Sequence, residues 1–180
     1  ASVNGVSSAY YGKKFGFNNC TTDLNHIFND KEIDTVVIAS RHDSHAEFAI
    51  RSIKSNKNVY LEKPLCLKNN ELENIKHELN NNPNINFTLG FNRRFSPLIA
   101  KIKNLLKRTD SPFSMIMTVN AGQIDSDHWT QIPNIGGGRI IGEACHYIDL
   151  LRSLSNSKIT SYDKIVMDSK NRDTLSINLN

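Results

Sequence analysis

The stretch Val59-Tyr60-Leu61-Glu62-Lys63-Pro64-Leu65 determines how the rest of the chain is interpreted. It begins with a short β-branched, aromatic and aliphatic run, which predicts a buried strand of a parallel sheet. An acid, a base and a proline follow, and the proline stops the strand, with the Lys63-Pro64 bond expected to be cis. Open α/β sheets bind ligands at the carboxyl edge of their strands, so Glu62 and Lys63 are candidate site residues. From this pattern alone, a strand end with solvated charges is an equally good interpretation.

A second predicted strand precedes this stretch. Residues 35–39 are Thr-Val-Val-Ile-Ala, and the polar segment 40–44 interrupts them. Residues 45–53 then carry apolar side chains at helical spacing, with Ser44 as a candidate N-cap. Strand, helix and strand within about thirty residues form a βαβ unit, whose two strands run parallel and end at the same edge of the sheet. The side chains predicted to share that crevice are Ser40, Arg41, His42, Glu62 and Lys63.

Further elements follow from the same kind of pattern. Helices are predicted at 6–13 with a stop at Gly16, at 22–28, at 70–79, and from the Ser96-Pro97 start signal through Leu106. Strands are predicted at 85–89, 113–120, 159–167 and 174–179, and residues 1–5 read as the tail of a strand. The expected fold class is α/β: an incomplete Rossmann-like parallel sheet in residues 1–110, then a truncated α+β domain in 111–180 with a mostly antiparallel sheet.

Composition excludes several function classes. The 180 residues carry a net charge of +4, and the lysines form no basic cluster interleaved with aromatic residues, so nucleic-acid binding is not expected. No apolar run is long enough for a bilayer and no signal-peptide pattern is present. The three cysteines form no C-x-x-C pair, which predicts reduced thiols and a cytoplasmic location. The six histidines show no metal-ligand spacing, so no metal is expected.

A second candidate region follows Gly136-Gly137-Gly138, a run that permits an unusual turn or a close approach to a ligand. Ile141, Cys145, Ile148 and Leu151 form one apolar stripe of a predicted helix. Glu143 and His146 lie three residues apart and therefore share a neighbouring face. By itself, a lone histidine at such a place is more often a structural residue.

Four ordered motifs resemble the Gfo/Idh/MocA oxidoreductases. They are Glu62-Lys63-Pro64, the preceding helix that begins at His45, Gly90-Phe91-Asn92-Arg93-Arg94-Phe95, and the segment from Gly136-Gly137-Gly138 to His146 and Asp149. The resemblance covers most of the chain. It implies a dehydrogenase that transfers a hydride from a hydroxyl group of a sugar, inositol or nucleotide sugar to NAD or NADP.

The resemblance also implies residue roles. Lys63 would polarise the substrate hydroxyl and His146 would act as general base, which suits the charge of lysine and the pKa of histidine. Many members carry an aspartate where this chain has Gly142, and the adjacent Glu143 is the candidate substitute. The expected cofactor contacts are Ser40, Arg41, His42, His45, Glu62, Lys63 and Asn92. The expected substrate contacts are Lys63, Arg93, Trp129 and His146, although packing explains Trp129 equally well.

One family feature has no counterpart in the sequence: no G-x-G-x-x-G pattern occurs. In the resembled family this turn would lie before residue 1, so we expect a fragment that lacks its first βα unit and binds the cofactor poorly. Exposure of a strand edge and of apolar faces then predicts a homo-oligomer. A non-catalytic remnant or assembly partner is the alternative to a sugar-type dehydrogenase.

Overall fold

A parallel sheet of three strands lies in the N-terminal part of the chain. The computed structural model describes residues 1–107, 111–169 and 173–180. The strands are β1 (Thr35–Ile38), β2 (Asn58–Leu61) and β3 (Phe87–Leu89), arranged in that order. Ile38 pairs with Leu61, and Leu61 pairs with Leu89. Because these are the last residues of their strands, all three carboxyl ends lie level at one edge, as the sequence predicts.

Six helices accompany the strands in the described ranges. They are α1 (Gly5–Phe15), α2 (Asn25–Phe28), α3 (His45–Lys54), α4 (Asn69–Asn81), α5 (Pro97–Leu106) and α6 (Cys145–Ser155). The predicted stop of α1 is confirmed, because Gly16 adopts the left-handed conformation with φ of 71°. The start of α2 is three residues later than Thr22, the predicted opening. None of these helices combines the length and apolar character that a bilayer crossing requires.

The hydrophobic core fills the space between the sheet and α3. Alternate strand residues point into it, and so does the apolar stripe of α3. The fully or nearly fully buried members are Val36, Ile38, Ala49, Ile53, Val59 and Leu61. On the opposite face of β1, Val37 is 67% exposed. Helix α3 therefore covers one face of the sheet, and α4 reaches the same core through Leu79.

Lys57 fixes the segment before β1 to the start of β2. Its side chain is buried, and its ammonium donates to the carbonyl oxygens of Asp30 at 2.5 Å and Ile33 at 2.6 Å. A buried lysine is tolerated where its protons bind backbone oxygens, since an unpaired charge would be costly. The loop that leads into β1 is held in place by this side chain.

The second sheet is a hairpin of β4 (Tyr162–Val166) and β5 (Leu175–Leu179), paired antiparallel. An α/β fold with separate parallel and antiparallel sheets confirms the predicted fold class. The predicted domain boundary falls next to residues 108–110, which lie outside the described residues, so the division into 1–110 and 111–180 stays a prediction.

Two predicted strands are wrong. Residues 113–120 join neither sheet in the described part of the chain, and Ile116 is 95% exposed. The segment pairs with no other strand in the described part of the chain, and so it has no ladder partner. Residues 1–5 form no strand either, because the Asn4 side chain accepts a hydrogen bond from the Ser7 amide and caps α1.

Candidate active site

Lys63 connects the parallel sheet to the C-terminal part of the chain. It follows β2 at the carboxyl edge, and its bond to Pro64 is cis, as predicted. The Lys63 ammonium donates to the carbonyl oxygen of Gly142 at 2.7 Å. Gly142 lies in a π-helical turn (Ile140–Ala144) that leads directly into α6. This hydrogen bond therefore brings the start of α6 to the sheet edge.

The imidazole of His45 ties two strand ends together. The side chain is 1% exposed at the start of α3. Its Nδ1 lies 2.7 Å from the carbonyl oxygen of Pro64, and its Nε2 lies 3.1 Å from that of Ser40. Both ring nitrogens thus contact backbone in the turns after β1 and β2. The structure uses His45, a predicted cofactor contact, to position the turn that carries Lys63.

A second histidine, His42, anchors the glycine-rich segment. Its Nδ1 lies 2.8 Å from the carbonyl oxygen of Gly136, and its ring meets that of Trp129 edge-on at 4.9 Å. Burial lowers the pKa of His42, and the nearby charge of Lys63 lowers it further. A Cβ atom at Gly142 would lie 3.2 Å from Cε1 of His42. The ring of His42 would therefore have to shift by a few tenths of an ångström to admit a Cβ atom at position 142.

His146 lies on the first turn of α6, close to the charges of the sheet edge. Burial lowers its pKa, and the cations Lys63 and Arg93 add to that effect, against the opposing carboxylates of Glu62 and Asp149. Its Nδ1 is buried and has no hydrogen-bond partner among the described residues. The imidazole is therefore neutral at neutral pH, which is the protonation state that a proton acceptor requires.

Glu62 occupies a space that Gly90 leaves open. A Cβ atom at Gly90, which directly follows β3, would lie 3.0 Å from the carboxylate of Glu62. The absence of a side chain there lets the carboxylate lie along the edge between β2 and β3. Its negative charge partly opposes the lowering of the His146 pKa.

Arg94, a member of the motif that follows β3, pairs with a buried acid of α6. Its guanidinium makes a two-pronged ion pair with the carboxylate of Asp149. Asp149 is 7% exposed and lies on α6, one turn beyond His146. The pair therefore fastens the helix of the candidate base to the turn after β3. The only sequence signal for it was the presence of both residues in the ordered motifs.

The neighbouring Arg93 has a free guanidinium edge. Its central carbon lies 4.7 Å from the centroid of the Tyr147 ring, and the side chain is exposed. No carboxylate in the described part of the chain forms an ion pair with it. The predicted substrate contact thus lies over the ring of Tyr147, the residue that follows His146.

The Glu143 carboxylate points away from the region of Lys63 and His146 and binds Arg139. The carboxylate accepts a hydrogen bond from Arg139 at 2.9 Å, and Arg139 also donates to the carbonyl oxygens of Ala121 and Gly122. These groups line a cavity of about 510 Å³ between residues 117–122, α6 and β5. The structure does not bring the Glu143 carboxylate into contact with Lys63 or His146, and its catalytic role stays a prediction.

Three further residues that were predicted to contact the cofactor are exposed at the sheet edge. Ser40, Arg41 and Asn92 are exposed after the ends of β1 and β3. The guanidinium of Arg41 lies 5.6 Å from the centroid of the Trp129 ring, so Trp129 packs beside this edge. Exposed donors at the carboxyl ends of parallel strands fit a nucleotide ligand. No group of three or more histidine, cysteine or acidic side chains in the described ranges could hold a metal ion.

Comparisons with known proteins agree with this geometry. Residues 4–91 match the oxidoreductase family with an NAD-binding Rossmann fold, GFO_IDH_MocA. Oxidoreductase P35 of Formosa agariphila is 34% identical over 150 residues, which are 78% of this chain and 46% of that protein. The levoglucosan dehydrogenase of Pseudarthrobacter phenanthrenivorans is 28% identical over 165 residues, or 86% of this chain and 41% of that enzyme.

A solved structure has the same fold. Levoglucosan dehydrogenase in complex with NADH and levoglucosan superimposes with a TM-score of 0.77 at 24% identity, covering 93% of this chain and 47% of that one. The chain therefore spans about half the length of the proteins it matches.

Proposed function

This chain belongs to the Gfo/Idh/MocA family of oxidoreductases, and on that premise we propose that it acts as a dehydrogenase on a hydroxyl group of a sugar, inositol or nucleotide sugar. The observation that carries the proposal is the convergence of Lys63 and His146 at the carboxyl edge of the parallel sheet. The two residues come from distant parts of the sequence, and each has the chemistry that one half of such a reaction needs.

The roles follow from the contacts. The Lys63 ammonium donates one hydrogen bond to the carbonyl oxygen of Gly142, which leaves two N–H groups for a substrate hydroxyl. Those donors polarise the hydroxyl and fix its position. His146, neutral because burial and two cations lower its pKa, accepts the hydroxyl proton as the carbonyl group forms. Glu62 balances part of the positive charge.

The cofactor in this proposal is NAD or NADP, whose nicotinamide accepts the hydride when it is bound. Ser40, Arg41 and Asn92 are the exposed groups that would hold it at the sheet edge, with Glu62 beside them. The buried His42 and His45 act through the backbone instead. These residues account for the part of the cofactor that reaches this edge of the sheet.

The alternative is a non-catalytic remnant or assembly partner. Either function is compatible with two domains divided near residue 110 and with a homo-oligomer, both of which we retain as proposals. The three cysteines are free in the structure, which supports a proposed cytoplasmic location.

The decisive experiment measures cofactor reduction by absorbance with a panel of sugars, inositols and nucleotide sugars, beside calorimetric binding of NAD and NADP. Lys63→Met and His146→Gln should each lower kcat/KM about 10²- to 10⁴-fold. The matched controls are Lys101→Met and His77→Gln, two exposed residues away from the site. Failure of the wild-type protein to bind or reduce either cofactor would favour the remnant.

A further inference from the structure

Lys63 depends on a backbone carbonyl group for its position. Its ammonium donates to the carbonyl oxygen of Gly142 at 2.7 Å, and it forms no ion pair in the described part of the chain. Gly142 has no side chain through which its own place could be fixed. The oxygen that Lys63 uses therefore lies wherever the turn Ile140–Ala144 puts it.

An ion pair bridges that turn. The turn is π-helical, a rare form that occurs mostly as single turns and frequently at functional sites. Arg139 directly precedes it, and the Nε–H of Arg139 donates to the Glu143 carboxylate at 2.9 Å. Because Gly142 lies between these two residues in the chain, the pair spans the piece of backbone that carries the acceptor of Lys63.

Arg139 is a fixed anchor for this bridge. Its two terminal nitrogens donate to the carbonyl oxygens of Gly122 and of Ala121, the latter at 2.9 Å. One of them also lies 3.8 Å from the carboxylate of Asp173, and the side chain is only 12% exposed. All three guanidinium nitrogens thus have a partner, and a planar group bound in this way has little freedom to move.

A second contact acts on Gly142 itself. The ring of His42 lies against it, since a Cβ atom at Gly142 would be 3.2 Å from Cε1 of that ring. The ring is in turn held by the carbonyl oxygen of Gly136 at 2.8 Å. The turn therefore has an anchor at Arg139, a bridge to Glu143 and a packed ring between them.

We propose that Arg139 and Glu143 are positioning residues: their ion pair sets the turn Ile140–Ala144 so that the Gly142 carbonyl oxygen holds the Lys63 ammonium for the substrate hydroxyl. This inference rests on the proposed function. It gives Glu143 a role other than proton transfer. The Glu143 side chain is 39% exposed, and ion pairs with exposed carboxylates add little to stability. Loss of Glu143 should therefore affect the geometry of the site more than the stability of the fold.

The kinetic test measures kcat and KM separately. Arg139→Met and Glu143→Leu should each lower kcat about 10²-fold with KM little changed, because they displace a group that acts on the reacting hydroxyl. Glu143→Gln keeps an amide oxygen for Arg139 and should lose less than about 10-fold, whereas loss of a proton-transfer group costs about 10²- to 10⁴-fold. The matched controls are Arg51→Met and Glu47→Leu, which break an ion pair of the same spacing on α3 and should leave kcat unchanged.

A second readout needs no turnover. Reductive methylation with formaldehyde and cyanoborohydride, followed by peptide mass spectrometry, reports how freely the Lys63 amine reacts, with the exposed Lys101 as internal standard. An ammonium that is bound to a carbonyl oxygen has to break that hydrogen bond first. Labelling of Lys63 should therefore become about 10-fold faster in Arg139→Met, the effect of losing one hydrogen bond to a charged group, and should stay unchanged in Arg51→Met.

The two readouts separate this inference from the dehydrogenase proposal. Faster labelling of Lys63 in Arg139→Met, without cofactor reduction by the wild-type protein, would support the positioning role and reject the dehydrogenase. An active wild type whose kcat and Lys63 labelling do not change in Arg139→Met overturns the positioning role and leaves the dehydrogenase standing. A loss in Glu143→Gln as large as that in Glu143→Leu also overturns it and assigns proton transfer to Glu143. If Arg139→Met does not fold, the two Glu143 variants decide by the same readouts.

Discussion

The ion pair between Arg94 and Asp149 gives a prediction about stability that depends on burial. The two side chains differ in exposure: that of Asp149 is 6% exposed and that of Arg94 is 32% exposed. Removal of Arg94 therefore leaves a charge that water does not reach, whereas removal of Asp149 leaves one that water reaches in part. The two single substitutions should not be equivalent, although they break the same pair.

The magnitudes follow from this difference. Loss of one partner from a buried pair costs about 3–5 kcal/mol, and Arg94→Met should fall in that range. Asp149→Asn should cost about 1–3 kcal/mol, because the Arg94 guanidinium can still donate to the amide oxygen of the new side chain and to water. In a chain of this size, about 1 kcal/mol corresponds to a Tm change of about 2–4 °C. We therefore expect Arg94→Met to lower the Tm by about 10 °C and Asp149→Asn by about half as much.

Urea denaturation and thermal melting, both followed by circular dichroism, provide the assay. The double variant Arg94→Met/Asp149→Leu removes both charges and should recover much of the loss of Arg94→Met. Arg93→Met is the neighbouring control, with an expected cost of at most about 1 kcal/mol for its exposed ring contact. The reasoning is refuted if Asp149→Asn is the more damaging single change, or if both singles stay within 0.5 kcal/mol of wild type, as is usual for ordinary surface substitutions.

Two other perturbations have defined outcomes. Burial lowers the pKa of both His42 and His146 below the value of 6.5 that an unfolded chain shows, so the unfolded state takes up protons first as the pH falls. The free energy of unfolding should therefore decrease between pH 7.5 and 5.5, and His146→Gln should flatten that dependence in urea denaturation; an unchanged pH profile in the variant would contradict the assignment. Lys57→Met leaves the carbonyl oxygens of Asp30 and Ile33 without their donor and should cost about 2–4 kcal/mol. The exposed Lys54, which pairs with Glu78 on the surface, is its control, and Lys54→Met should cost less than about 1 kcal/mol; equal losses would exclude a special role for Lys57.

The sheet edge could be predicted from the sequence because its signals are local. A short apolar run followed by Glu62-Lys63-Pro64 marks a strand end, and the helix from His45 fixes the parallel direction. Contacts between distant segments have no such signal. Lys63 and Arg94 both stand in the sequence motifs. No local pattern shows, however, that Lys63 binds a backbone carbonyl oxygen or that Arg94 binds Asp149.

The sequence-based predictions that the structure does not support have the same origin. Residues 113–120 have the alternation of a strand, but a strand forms only where a neighbour offers hydrogen bonds. Glu143 shares a helical face with His146 by its spacing, yet Arg139 lies four residues before it and binds its carboxylate. Local periodicity predicts which side of an element is apolar, whereas the identity of a polar partner depends on the tertiary fold.

The contact between His42 and Gly142 also restricts the routes by which this site can evolve. Any side chain at position 142 presses on a ring that is held from two other directions. An alanine at position 142 would require that ring to shift by a few tenths of an ångström, whereas a smaller residue at position 42 would open the space. We therefore expect the effect of a substitution at position 142 to depend on the residue at position 42.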